Sequence, residues 1–82
     1  MLTENDLLSR ITVNSKVMVG KPTIRGLRIT VEQLLQALAN GVSQQELLED
    51  YPDLENDDFK AIFAYVARLV SEEQVFPVEI SK

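Results

Sequence analysis

The residues with the most evident chemistry stand together in residues 20–31, "GKPTIRGLRITV", where Lys21, Arg25 and Arg28 are set among two glycines, a proline and β-type side chains. Several cations on one extended segment, with Lys16 just before it, can meet phosphates or carboxylates through charge-assisted hydrogen bonds. The rest of the chain is their electrical opposite. The 82 residues carry a formal net charge of -5, yet residues 1–29 hold five cations against two acids, and residues 30–82 hold three against eleven. No acid lies between Asp6 and Glu32. A basic arm on an acidic body is either a binding device or an internal ion-pairing partner for the body.

Other chemistries are poorly served. A nucleotide loop requires a glycine five residues before the Gly-Lys pair, where Ser15 stands, and Pro22 replaces the Ser/Thr that follows the lysine. Gly20, Pro22 and Gly26 therefore read as the shaping residues of the arm. The sequence has no cysteine and no histidine, which removes disulfides, thiolate metal sites, the commonest metal ligand and the usual general base. Glu49-Asp50 and Glu72-Glu73 flank apolar helix faces, and Asp57-Asp58 falls in a helical first turn, where the macrodipole favours anions. These acids are expected to be solvated charges. No catalytic residue, metal site or cofactor is assigned, and the protein is not expected to be an enzyme.

The elements that position the arm follow from periodicity. Residues 10–19, "RITVNSKVMV", alternate as short strands, with Ile11 and Val13 on one face, Val17 and Val19 forming a second pair, and Asn14-Ser15 as a turn. Gly26 is expected at positive φ in a tight turn. From Thr30 the period becomes helical: Val31, Leu34, Leu35, Leu38 and Ala39 form one stripe, with a Thr30/Gln33 capping box at the start and Gly41 at the C′ position. Ser43 with Glu46 opens a second, short helix with Leu47, Leu48 and Tyr51 inward, and Pro52 ends it. A third helix over residues 56–72 places Phe59, Ile62, Phe63, Val66, Leu69 and Val70 on one wide face, with Ala64 and Ala67 at close approaches, and should supply most of the core. The tail "VFPVEISK" is apolar and extended, and Pro77 confines it to a sheet edge or a docking segment.

A mainly α fold results: one domain over residues 1–82, with a basic β arm or hairpin (10–30), a three-helix core (30–73) and an extended tail (74–82). The second and third helices resemble a helix-turn-helix, although the first turn of the third would show Asn56, Asp57 and Asp58 to a polyanion. The arm is the better candidate for nucleic acid. Arg28 precedes the helix cap at Thr30, where a cation opposes the dipole, so helix stability does not account for it. A chain this small buries only about 60–65% of its unfolded surface, so a homodimer or a partner protein is expected. Nothing approaches the apolar run of about 18 residues that a membrane span needs, and a cytoplasmic location is expected.

The ordered motifs "GKPTIRGLRITV" and "LLQALANGVSQQELLEDYPDLENDDFKAIFAYV" resemble the small bacterial and archaeal family called domain of unknown function 433. The family pattern runs roughly G-K-P-x-I-x-G-T-R-I-x-V, a helix, a Gly-x-Ser/Thr step, an "ILEDYP" helix and an "L-T-x-E-D-I" start to the last helix. The resemblance covers about residues 10–70. It implies a homeodomain-like core behind a β arm, and an antitoxin that dimerises, masks a PIN-type ribonuclease toxin and binds its own operator DNA. Carried over, the arm positions are Gly20, Lys21, Pro22, Ile24, Gly26, Arg28 and Val31, and the helix-turn-helix-like positions run through Ser43, Tyr51, Pro52 and Asp58. Leu27 replaces the usual threonine. Glu55 replaces a capping threonine, which moves the expected cap to Asn56.

The expectation is thus an antitoxin or regulatory module that uses Lys16, Lys21, Arg25 and Arg28 on nucleic acid. The alternative is a protein-interaction module that touches no nucleic acid and docks through tail residues Val75, Phe76, Val78 and Ile80.

Overall fold

The computed structural model describes residues 2–72, and the expected tail contacts of Val75, Phe76, Val78 and Ile80 lie outside them. In chain order the elements are helix α1 (Glu4–Leu8), strand β1 (Ile11–Thr12), a short 3-10 segment (Met18–Gly20), strand β2 (Thr23–Ile24), and helices α2 (Val31–Ala39), α3 (Gln44–Asp50) and α4 (Asn56–Glu72). The described chain is mainly helical with a two-stranded antiparallel sheet near its N-terminus.

Helices α2 and α3 begin at the expected caps. The Thr30 hydroxyl accepts from the Gln33 N–H at 2.9 Å, and the Ser43 hydroxyl from the Glu46 N–H at 3.0 Å, each reciprocated by the side chain of the third helical residue. The Glu46 carboxylate sits below its usual range because it accepts from the Ser43 backbone N–H and lies beside the Ser43 hydroxyl. Helix α2 ends in a Schellman turn. Gly41, at φ 95°, donates to Leu38, and Val42 donates back to Ala37.

Helix α1 was absent from the sequence expectation. Thr3 and Asp6 cap it reciprocally, with aspartate standing in for the Glu or Gln of a capping box. It packs on α4, where the Arg68 guanidinium reaches Glu4 at 3.0 Å and Glu72 at 2.8 Å; both hydrogen bonds, Glu72 first, raise the Arg68 pKa.

The arm is a tighter object than two alternating strands. Strand β1 pairs with β2 in the register Ile11 to Ile24 and Thr12 to Thr23, and their threonine hydroxyls are 2.9 Å apart. On its other side β2 meets the lead-in to α2, through a Thr23–Thr30 bridge and a Val31 N–H to Pro22 carbonyl bond of 3.0 Å. This doubly paired strand fixes the start of α2. The expected pair Val17 and Val19 does not form a strand: Met18, Val19 and Gly20 all adopt positive φ, at 51°, 57° and 77°. Val13 and Val19 consequently face solvent, Val19 at 92% exposure.

Seven buried side chains make the core: Ile24 from β2, Val31 and Leu34 from α2, Leu47 from α3, Leu54 from the connector, and Phe59 and Ile62 from α4. The stripe expected along the whole of α4 enters this core only in its first half. Phe63, Leu69 and Val70 are 46%, 47% and 62% exposed, because no described element reaches over the last turns of the helix on that side. Ala61 is buried where sequence periodicity did not single it out, and Ala67 is exposed.

Candidate functional site

One of the arm's cations, Arg25, and one from its root, Arg10, are taken up by the body. Arg25 stands in the turn after β2 at φ 47°, followed by Gly26 at 75°, and the Leu27 N–H closes the turn on the Ile24 carbonyl at 2.7 Å. Two successive positive φ values aim the Arg25 side chain back at α4. There its Nε and Nη2 donate to Asp58 Oδ1 and Oδ2 at 3.0 and 2.9 Å, a bidentate pair, and Nη2 also reaches the Asp53 carbonyl at 2.6 Å. Arg10, just before β1, donates to the same Asp58 at 3.0 Å and to Glu55 at 2.8 Å.

Asp58 is fully buried, yet its carboxylate is saturated with donors. Burial pushes its pKa up, but hydrogen bonds from Arg25, the Glu55 N–H and Arg10, with the charge of Arg25, outweigh that and hold it below the usual carboxylate range. The two arginines move up in turn: Arg10 through its bond to Glu55 and then Asp58, Arg25 through its bond to Asp58. The Glu55 N–H donates to Asp58 at 2.8 Å, so Asp58 caps α4 from inside its first turn. Asn56 is the first helical residue and not the cap that the sequence suggested. Asp58 is also not the solvated acid expected from its place in a first turn. The readable signal was the spacing of Glu55 and Asp58, which matches the acid at the third position of a capping box.

The remaining arm cations gather elsewhere. Lys16, Lys21 and Arg28, with Ser15, Met18 and Val19, line one concavity of about 500 Å³ beside the left-handed turn. Lys21 pairs with Glu32 at 3.1 Å with both side chains more than half exposed, a contact worth about 0–1 kcal/mol and readily exchanged. Lys16 and Arg28 form no salt bridge with any described residue. Thus the structure brings together three of the four expected binding cations and sends Arg25 to a structural pair. The shaping residues behave as their types require: Gly20 and Gly26 hold positive φ, and Pro22 offers only its carbonyl, which α2 uses.

A second concavity, of about 600 Å³, is apolar. Val31, Leu35 and Ala39 of α2 face Tyr65, Val66 and Leu69 of α4 across it, with Glu32, Gln36 and Asn40 at its rim. Among the described residues no group of acids is arranged to hold a metal ion, and no helix is long and apolar enough to cross a membrane.

Residues 11–66 match the model of a family described as protein of unknown function (DUF433). The chain belongs to that family. The DUF433 span takes in both strands, the basic concavity, α2, α3 and the first part of α4 through Val66, and excludes α1, Arg10 and Leu69. No curated protein and no solved structure matches the chain.

Proposed function

We propose that this DUF433 protein is an antitoxin-type regulatory module of a prokaryotic toxin-antitoxin pair, acting in the cytoplasm as a homodimer. In this reading the α2 to α4 core is homeodomain-like, the arm contacts the backbone of operator DNA, and the partner is a PIN-type ribonuclease. The observation that carries the nucleic-acid half is the convergence of Lys16, Lys21 and Arg28 on one concavity lined by no acid. Three cations there can neutralise adjacent phosphates, whereas the N-terminus of α4, flanked by Glu55 and Asp57, would repel them.

Fluorescence anisotropy with the DNA upstream of the protein's own reading frame tests this. Lys16→Ala and Arg28→Ala should each weaken binding and make the salt dependence shallower by roughly 0.9 in log-log slope per lost phosphate contact. Arg25→Ala should act through stability and leave the slope of the folded fraction unchanged. An absence of salt-dependent binding at micromolar protein would remove the DNA half of the reading.

The apolar concavity between α2 and α4 favours a second reading, a protein-interaction module without nucleic acid, because such a groove fits an apolar segment of a partner. Ala39→Asp and Leu69→Asp alter its wall at exposed positions. If they abolish co-purification with a ribonuclease encoded by the neighbouring reading frame while no DNA binds, this second reading stands alone.

A further inference from the structure

Three successive residues, Met18, Val19 and Gly20, hold positive φ, and only the glycine is suited to it. Val19 is the most strained of them by type, because a β-branched side chain at φ 57° crowds its own backbone. At 92% it is also the most exposed large apolar side chain among the described residues. Burial within the described chain accounts for neither property. Strain that the fold does not use points to a residue that acts on something outside the chain.

The surroundings of Val19 narrow the choice. It edges the concavity of about 500 Å³ that is bordered by Lys16 before it, Lys21 after it and Arg28 from the segment leading into α2, and no acid lines that hollow. Cations around a hollow, with an apolar tip standing out beside them, are complementary to a double-stranded nucleic acid, whose phosphates form a ridge and whose bases lie in a groove next to it. An acidic peptide could answer the three charges, but it would leave the valine in water unless it carried an apolar hollow at the same spacing. The width of the tip selects the groove. One residue of a tight turn fits the minor groove of about 6 Å, whereas the major groove of about 12 Å is matched to a helix or a two-stranded ribbon.

We propose that the Met18–Gly20 turn is a minor-groove wedge: phosphates of one strand seat in the basic concavity, and Val19 enters the groove beside them. This role rests on the DNA reading above and adds to it a groove, a contact residue and a base preference. At a G·C pair Val19 would meet the guanine N2 amine, a donor that valine leaves unpaired and out of water, and an A·T pair presents no such group. Tracts rich in A·T are therefore preferred. Lys16, Lys21 and Arg28 supply affinity through phosphates, and Val19 supplies the selection.

Fluorescence anisotropy of the full chain with three short labelled duplexes, of alternating A·T, G·C and I·C pairs, tests the assignment. Inosine lacks the N2 amine of guanine but presents the same major-groove edge, so the I·C duplex isolates the minor groove. The chain should bind the A·T and I·C duplexes alike and the G·C duplex about fivefold or more weakly, the lower end of the effect of one unfavourable base pair. Val19→Gly relieves the strained φ, so helical circular dichroism should be unchanged. It should weaken binding to the A·T duplex roughly fivefold and abolish the preference, while the salt slope stays that of the wild type because no phosphate contact is lost. Lys16→Ala should do the reverse, giving a shallower slope with the preference kept. Equal affinity for the three duplexes, an I·C duplex that behaves as the G·C one, or a Val19→Gly variant with wild-type affinity and preference each overturns the wedge and leaves the DNA reading standing. Absence of salt-dependent binding to all three overturns both, and a neighbouring-frame protein whose co-purification then requires Val19 would assign the tip to a protein partner instead.

Discussion

Arg25 and Asp58 are 33 positions apart and meet side on, with both guanidinium-carboxylate contacts at 3.0 Å or less and the carboxylate wholly out of water. The pair ties the turn after β2 to the first turn of α4, and Arg10 closes the same carboxylate from the root of β1. Asp58 is the acceptor the two arginines share, so removing its charge leaves two half-buried guanidinium groups facing each other across an uncharged side chain.

Asp58→Asn should therefore destabilise the protein by about 3–5 kcal/mol, the range for breaking a buried ion pair from one side. Urea denaturation followed by circular dichroism measures it. In a double-mutant cycle, Arg25→Met should cost far less in the Asp58→Asn background than in the wild type, because the charge it answers is already gone.

The same group gives a pH signature. Asp58 titrates lower folded than unfolded, where its pKa is about 3.9, so its contribution is complete above the unfolded value and is lost as pH falls through the folded one. Stability should decline below about pH 4. The decline should be distinctly shallower in Asp58→Asn, as thermal melts in citrate and glycine buffers between pH 2 and 6 would show.

Val19 offers the opposite effect. A β-branched residue at φ 57° is sterically strained, and at 92% exposure Val19 gains nothing from packing to offset that. Val19→Asn should stabilise by about 0.5–1 kcal/mol, since asparagine tolerates the left-handed region. For a chain of this size that is a rise of roughly 2–8 °C in Tm by calorimetry. An unchanged or lower Tm would show that the turn is not strained in solution.

At Gly41 space and conformation separate cleanly. An added Cβ would touch nothing within 4 Å, but φ is 95°. Gly41→Ala should cost roughly 1–2 kcal/mol through backbone conformation alone, and Gly41→Asn measurably less. Equilibrium unfolding of the two variants decides between them.

What could be read in the sequence was local. The caps at Thr30 and Ser43, the stop at Gly41 and the span of α4 each depend on residues within four positions of one another, and each is found where the pattern put it. Non-local facts were not legible. Nothing near Asp58 in the chain announces Arg10 or Arg25, and three arm cations of similar appearance divided between a buried pair and an open concavity according to turn geometry. Periodicity likewise marked Phe63 and Val70 as inward, because it reports which face of a helix is apolar and not how far the rest of the chain extends along it. Helix α1 was missed for a smaller reason: five residues show too little period, and its cap uses aspartate.

The clamp on Asp58 also bears on what association through the arm would require. A loose basic tail must surrender its conformational freedom when it meets a polyanion, at roughly 1–2 kcal/mol for each backbone residue that becomes fixed. Here the strand pairing, the turn at Arg25 and Gly26 and the lock on α4 have fixed that backbone during folding. Less of that cost would then be left for the segments that carry Lys16, Lys21 and Arg28 to meet on contact. A hairpin held in this way presents its charges at set separations, so it would discriminate among ligands by the spacing of their negative groups as well as by their number.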